Sequence, residues 1–232
     1  MTKYVQNKPE VVYDNQVFLL NEIHFHWGED PQNGSEHSFN GEFYALEAHL
    51  VHYSNRYPSA YKAQKHRDGM LVMSVLYRLQ DAANQQLDEL IQIIGRVSGR
   101  QIDTMSADRL SPKNLLPKNR DHFFTYFGSL TSLPFSESVR WIVFADTSTI
   151  GNQQLDQIRR TAQYNSRGLP DGWRSFSNTR DQQPLHGRNV QTNSNEQRQI
   201  SSDASNDSSF STPSSSSFSS FSSSSTPTGR LL

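Results

Sequence analysis

The 232-residue sequence contains no cysteine. That excludes disulfides, thiolate metal sites and a cysteine nucleophile together, so a metal here has to be held by His, Asp or Glu. An excess of one charge is also lacking, with 22 Lys and Arg against 23 Asp and Glu and a formal net charge of -1. A general binder of nucleic acid or of an anionic membrane needs a basic surplus that this chain does not have. No apolar run in the sequence approaches the roughly 18 residues of a membrane-spanning helix. The opening MTKYVQNKPE has no apolar stretch of the secretory-signal kind. The expectation is a soluble chain, cytoplasmic as written, with small-molecule partners, no nucleic acid and no membrane span. Nothing in the sequence sets an oligomeric state.

Hydrophobic residues are scarce overall, at 34%, but their scarcity is local. Half the positions in residues 201–232 are serine, and the stretch QTNSNEQRQI before them is equally polar. Three isolated phenylalanines there cannot bury enough surface to offset the entropy of ordering the chain. The expected organisation is one domain over residues 1–190 and a disordered Ser-rich tail over 191–232.

Within the domain, strand signals dominate. Val17–Trp27 alternates in its second half, with Glu22, His24 and His26 on one face and Ile23, Phe25 and Trp27 on the other. Phe43–Tyr53 places Glu47, His49 and Val51 together, opposite Ala48, Leu50 and His52. Met70–Tyr77 and Val139–Phe144 are further apolar runs of strand length. Leu87, Leu90, Ile91 and Ile94 follow helical spacing with Gly95 as a stop, and a polar helix is expected over Asn152–Gln163. This pattern predicts a sheet-dominated α+β fold, a central and mostly antiparallel sheet with peripheral helices.

His24-Phe25-His26 puts two imidazoles on one face of a strand, close enough to share a small cation. His49 is in phase on the next strand, which can run antiparallel across the Gly28–Glu42 connection. Three neutral imidazoles with an open fourth position describe a catalytic zinc site rather than a closed structural one. Two satisfied or exposed histidines are the alternative reading of an H-x-H pair. Periodicity alone does not choose between them.

The words around these histidines add more. HFHWG (His24–Gly28), GSEH (Gly34–His37), EAHLVH (Glu47–His52), LLP (Leu115–Pro117), GSLTSLP (Gly128–Pro134) before SVRWIVF, and QPLHGR (Gln183–Arg188) resemble the α-class carbonic anhydrases in order and spacing. The resemblance implies that His24, His26 and His49 are zinc ligands. It pairs Thr131 with Glu36 to orient the reacting group, and puts Glu47, Glu22 and Asn178 behind the ligands. It makes Val51, Val72, Leu130 and Trp141 the wall of a substrate pocket, with Val139 behind it and Ser132 keeping a hydroxyl where many relatives have a second threonine. The implied activity is zinc-dependent reversible hydration of carbon dioxide to bicarbonate and a proton through a zinc-bound hydroxide. His37 resembles a buried hydrogen-bonding histidine of the family, Tyr126 a support of its network, and His52 is expected to be structural. His66, His122 and His186 carry no partner signal.

Departures from the family pattern qualify this expectation. Relatives carry a longer stretch before HFHWG, so the N-terminal portion of the fold is expected to be missing and turnover to be limited by proton transfer. Glu22 stands where relatives commonly have glutamine, Phe135 where extracellular ones often have cysteine, and Thr179 and Asp181 interrupt an N-W-R-P pattern to which Asn178 and Arg180 align. The rival reading is a weak or inactive carbonic-anhydrase-related binding module. Such relatives typically lose a zinc histidine, whereas this chain keeps all of them.

Overall fold

Successive strand residues point to opposite faces, so the parity of the apolar positions tells which face is buried. Along Gln16–Trp27 that parity changes. Phe18 and Leu20 are even and Ile23, Phe25 and Trp27 are odd, yet all five pack into one core. The change falls at Asn21, which the pairing skips: Leu20 faces His52, and Glu22 faces Val51. An inserted residue of this kind is a β-bulge. It keeps the apolar face continuous and gives the opposite face to Glu22, His24 and His26.

The computed structural model of the protein describes residues 8–96, 110–165 and 177–193. The Ser-rich segment 201–232 lies outside the described residues, as does most of the expected tail. Among the described residues one sheet contains β1 (Glu10–Tyr13), β2 (Gln16–Trp27), β3 (Leu46–Ser54), β4 (Met70–Gln80), β5 (Phe123–Gly128), β6 (Val139–Phe144), β7 (Ser148–Gly151) and β8 (Gln191–Thr192). The strand order is β1-β2-β3-β4-β6-β5-β8, with β7 also paired to β4. All pairings are antiparallel except those of β4 with β6 and β7, which are parallel. Among the described residues the helices are α1 (Ala60–Ala63), α2 (Asp88–Arg96) and α3 (Asn152–Asn165), with 3-10 turns at Gln85–Leu87 and Pro112–Leu115. The sheet-dominated, mostly antiparallel expectation holds. No helix among the described residues is long and apolar enough to cross a membrane.

The strand expected over Met70–Tyr77 runs on to Gln80 and the helix expected over Asn152–Gln163 to Asn165, and two further boundaries differ. The strand expected from Phe43 begins at Leu46. The helix expected to stop at Gly95 continues through it to Arg96. A Cβ at Gly95 would come within 2.9 Å of the amide end of the Gln157 side chain on α3, so this glycine faces α3 within the helix rather than ending it. Beyond the boundary placed near residue 190, Gln191 and Thr192 add a short strand to β5.

Every residue of β3 is buried, so both faces of the sheet centre are covered. On one face Ala48 and Leu50 join Leu71, Met73 and Val75 beneath Leu87, Leu90 and Ile94 of the α2 region and Leu155 and Ile158 of α3. Fully burying a side chain of this kind contributes about 1.5–3 kcal/mol, so this layer is what stabilises the sheet. On the other face Val51, Val72, Tyr126, Val139, Trp141 and Val143 form a second cluster. The candidate site lies on that second face.

His52 sits on the core face, buried, with Nδ1 against the Leu50 carbonyl at 2.8 Å. Burial lowers its pKa from 6.5 to about 4. Between those values the unfolded chain binds the proton more readily than the folded one, so this contribution is complete above the unfolded pKa and is lost as pH falls toward the folded one. A shift of that size corresponds to about 3 kcal/mol. We expect a His52→Gln variant to lose less urea stability than the parent between about pH 7 and pH 4.5. Equal losses in the two proteins would contradict the assignment.

Candidate metal centre

Antiparallel register brings the histidines together. His24 on β2 is the direct partner of His49 on β3, and His26 is the partner of Glu47. Ring centroids lie 5.1 Å apart for His24 and His26, 5.1 Å for His24 and His49, and 4.5 Å for His26 and His49. One nitrogen from each ring falls within 4.8 Å of the others. His26 and His49 are buried, and His24 is half-exposed toward the pocket.

The outward nitrogens decide what the inward ones can do. His26 Nδ1 lies 3.0 Å from the Asn178 carbonyl, which can only accept, so that nitrogen carries the hydrogen. His49 Nε2 donates to Glu47 Oε1 at 2.6 Å. His24 Nδ1 stands 3.3 Å from Glu22 Oε1 and donates there. Each ring therefore turns a bare lone pair inward: Nε2 of His24, Nε2 of His26 and Nδ1 of His49. Two of these, His49 Nδ1 and His24 Nε2, are only 3.3 Å apart. The third, His26 Nε2, is buried without a hydrogen-bond partner. Burial lowers the pKa of His26 to about 4 and that of His49 to about 3, so neither is relieved by a proton at neutral pH. Converging lone pairs repel unless a cation lies among them. The donor set, all neutral imidazole with carboxylate and carbonyl partners behind it, suits zinc.

Behind the rings lies a hub. Glu47 is wholly buried and accepts five hydrogen bonds: His37 Nδ1, His49 Nε2 and Ser74 Oγ on Oε1, each at 2.6 Å, and the Glu36 and His37 backbone N–H groups on Oε2, each at 2.8 Å. Burial alone would raise its pKa. The His37 and His49 rings and their hydrogen bonds outweigh that and hold the carboxyl well below its usual range. His37 Nε2 accepts from the Tyr126 hydroxyl at 2.8 Å, so the chain Tyr126–His37–Glu47–His49 runs from the core to the inward lone pair. His37, Glu47 and His49 also lie close enough to suggest a second ion site, but their mutual bonds leave no open side there. The loop that delivers Glu36 and His37 presses at Gly34 on the chain just before β3, where a Cβ would meet the Ala45 carbonyl oxygen at 2.2 Å.

Glu36 lies at the next position out. Burial and the nearby Glu47 charge push its pKa up to about 7, opposed by the Arg180 N–H and the Thr131 hydroxyl. Its Oε1 accepts from Arg180 N–H at 2.8 Å and lies 3.2 Å from His26 Nδ1, while Oε2 is buried without a bonded partner. In front of the histidines opens a cavity of about 270 Å³. Its apolar side is Val51, Val72, Leu130 and Trp141, and Thr131 and Ser132 stand at its edge.

A family model of the eukaryotic-type carbonic anhydrases matches residues 4–194. The chain belongs to that family. Carbonic anhydrase 1 of Mus musculus is 36% identical over 176 residues, 75% of this chain and 65% of that protein. Carbonic anhydrase 6 of Mus musculus is 31% identical over 184 residues, 78% of this chain and 56% of that protein. Carbonic anhydrase 1 of Oryctolagus cuniculus is 34% identical over 177 residues, 75% of this chain and 72% of that protein. The chain thus spans between about half and two thirds of the length of the two Mus musculus proteins.

For this carbonic anhydrase family member the structure brings His24, His26, His49, Glu22, Glu36, Glu47 and Asn178 into one connected site. Val51, Val72, Leu130, Thr131, Ser132 and Trp141 line its cavity. Val139 does not reach the lining. It is fully buried one layer back, packed in the cluster of Val51, Val72 and Trp141. His52 faces the opposite core. Sequence reasoning missed Ser74, although a lone hydroxyl in the apolar run MLVMSVLY directly opposite His49 was a usable signal. It also missed Gln182, which donates to the Glu36 carbonyl at 3.3 Å and to Ser38 Oγ at 2.9 Å. Asn21, Ala60, Tyr61, Gln64, Met70 and Leu133 complete the cavity wall. Asn21 is placed by the bulge, Ala60 and Tyr61 by the short helix α1, Met70 by the start of β4 and Leu133 by the loop between β5 and β6.

Proposed function

We propose that this protein binds zinc through His24, His26 and His49 and catalyses reversible hydration of carbon dioxide to bicarbonate and a proton. The observation that carries this reading is the convergence of three inward imidazole nitrogens beside a cavity that His24 and His49 line and that has one apolar side. Zinc held by three neutral ligands supplies a strong Lewis acid that makes water ionise near neutral pH. The remaining work belongs to the chain. Asn178, Glu47 and Glu22 hold the ring tautomers, so the inward nitrogens stay bare. The Thr131 hydroxyl donates toward the Glu36 carboxylate, which leaves its oxygen lone pairs free to accept from a reacting group and fixes that group's direction. Val51, Val72, Leu130 and Trp141 offer carbon dioxide a surface that water does not compete for strongly, and Ser132 provides a hydroxyl at the rim for the charged product.

A stopped-flow carbon dioxide assay with metal removal tests the reading. Activity is expected to disappear with a chelator and to return with one equivalent of zinc. A fully zinc-loaded protein with no hydration above the buffer rate would overturn it in favour of a binding module.

Glu22 permits a finer expectation. Its hydrogen bond to His24, set against burial, holds its pKa below the usual range, so it faces His24 Nδ1 as a carboxylate. That negative charge makes the imidazole a stronger donor and the centre less electrophilic. Glu22→Gln removes the charge and keeps an acceptor, so the midpoint of the pH–rate profile is expected to move down. A midpoint that stays in place or rises would contradict this.

A further inference from the structure

Between β5 and β6 the chain loops out through residues 129–138 and carries Thr131. The loop closes on itself through two backbone bonds, Leu130 N–H to the Ser136 carbonyl at 3.0 Å and Phe135 N–H to the Ser132 carbonyl at 2.8 Å. Phe135 adopts φ 57°, a left-handed conformation that a bulky side chain keeps only where its surroundings hold it. Arg180 supplies those surroundings. Its guanidinium lies 4.1 Å from the centre of the Phe135 ring, well within cation–π range. Through Nη1 the same group donates to Ser129 Oγ at 3.2 Å and to the Leu130 carbonyl at 3.4 Å, just before Thr131. The backbone N–H of Arg180 meanwhile donates to Glu36 Oε1 at 2.8 Å.

One residue thus touches both the Thr131 loop and the carboxylate toward which Thr131 is turned. The backbone around it is fixed in turn: Asn178 bonds β2 through Trp27 N–H, the Phe25 carbonyl and the Trp27 carbonyl, at 2.8, 2.8 and 3.1 Å. Arg180 therefore hangs from the strand that carries two of the zinc-binding candidates and reaches across to the loop.

We propose that Phe135 and Arg180 form a clamp that sets the position of Thr131 relative to Glu36 and to the histidines. Both are positioning residues, since neither touches the reacting atoms. Phe135, itself partly exposed, lies against the guanidinium and limits the positions from which Nη1 can reach Ser129 and Leu130. A lysine does not replace that guanidinium, because an ammonium has no flat face to lay against the Phe135 ring while it donates to Ser129 and Leu130. The activity part of this proposal rests on the hydration reading above, while the loop geometry does not.

The test uses the full chain and two readouts. In Phe135→Ala, hydrogen exchange at the Leu130 and Phe135 amides is expected to accelerate. The kcat for hydration is expected to fall about three- to tenfold with KM and zinc content unchanged, the size of a lost aromatic–cation contact expressed through orientation. Phe135→Tyr keeps the ring and is expected to restore both, whereas Arg180→Lys restores neither. Unchanged exchange in Phe135→Ala overturns the clamp whatever the activity. Faster exchange with an undiminished kcat in an active protein overturns its role in positioning. If the zinc-loaded parent does not hydrate carbon dioxide, the hydration reading fails and the exchange readout still decides the clamp.

Discussion

Replacing His26 with alanine is expected to remove zinc from the protein and, with it, hydration of carbon dioxide. His26 is the most informative of the three positions because its inward nitrogen is buried and has no other partner. A site with two imidazoles holds a divalent ion far less tightly than one with three. Loss of a residue behind a ligand costs roughly 10- to 100-fold in metal affinity, so loss of a ligand itself should exceed that range. The variant should keep its fold, since the change also deletes a ring whose lone pair has nothing to bond. Zinc content after dialysis against a weak chelator, read beside circular dichroism, checks this. A folded variant that still holds one zinc per chain would remove His26 from the ligand set.

The second large effect is expected at Glu47. Glu47→Ala leaves five donors facing a cavity: two backbone N–H groups, the His37 and His49 rings and the Ser74 hydroxyl. Each unsatisfied buried donor costs about 1–3 kcal/mol, although shared relaxation and entering water reduce the sum. A loss of about 3–5 kcal/mol, the range for breaking a buried charged network, is the expected outcome in urea unfolding. Metal affinity should fall together with stability, because nothing then fixes the hydrogen on His49 Nε2. Glu47→Gln separates the two effects. It fills the space and keeps one acceptor, but its amide NH2 faces groups that themselves donate. Stability is expected to recover in part, and zinc affinity less. A Glu47→Ala protein as stable as the parent would mean that the hub is not a source of stability.

Much of the site was legible because strand geometry is simple. Period two put His24 with His26 and Glu47 with His49, and one antiparallel hairpin then joined the pairs. The polar residues of β3 could be placed for the same reason, although the alternation could not show that the strand is buried on both faces. The bulge at Asn21 was harder to see: the parity switch is visible only after the core is known, since no residue type marks it. Asn178, Arg180 and Gln182 show a different limit. They reach the Thr131 loop across about 50 residues and β2 and Glu36 across more than 140, and local periodicity holds no information about contacts at that range. Asn178 and Arg180 were found only through family resemblance, and Gln182 was not found. The expectation that Gly95 ends its helix fails because a glycine within the last turn and one just past it look alike in sequence.

X-ray absorption at the zinc edge tests the account most directly. The zinc-loaded protein is expected to show a four-coordinate ion with three imidazole nitrogens at about 2.0–2.1 Å and one further light atom. A protein that takes up no zinc, or one whose zinc is surrounded by carboxylate and water oxygens without imidazole, would contradict it.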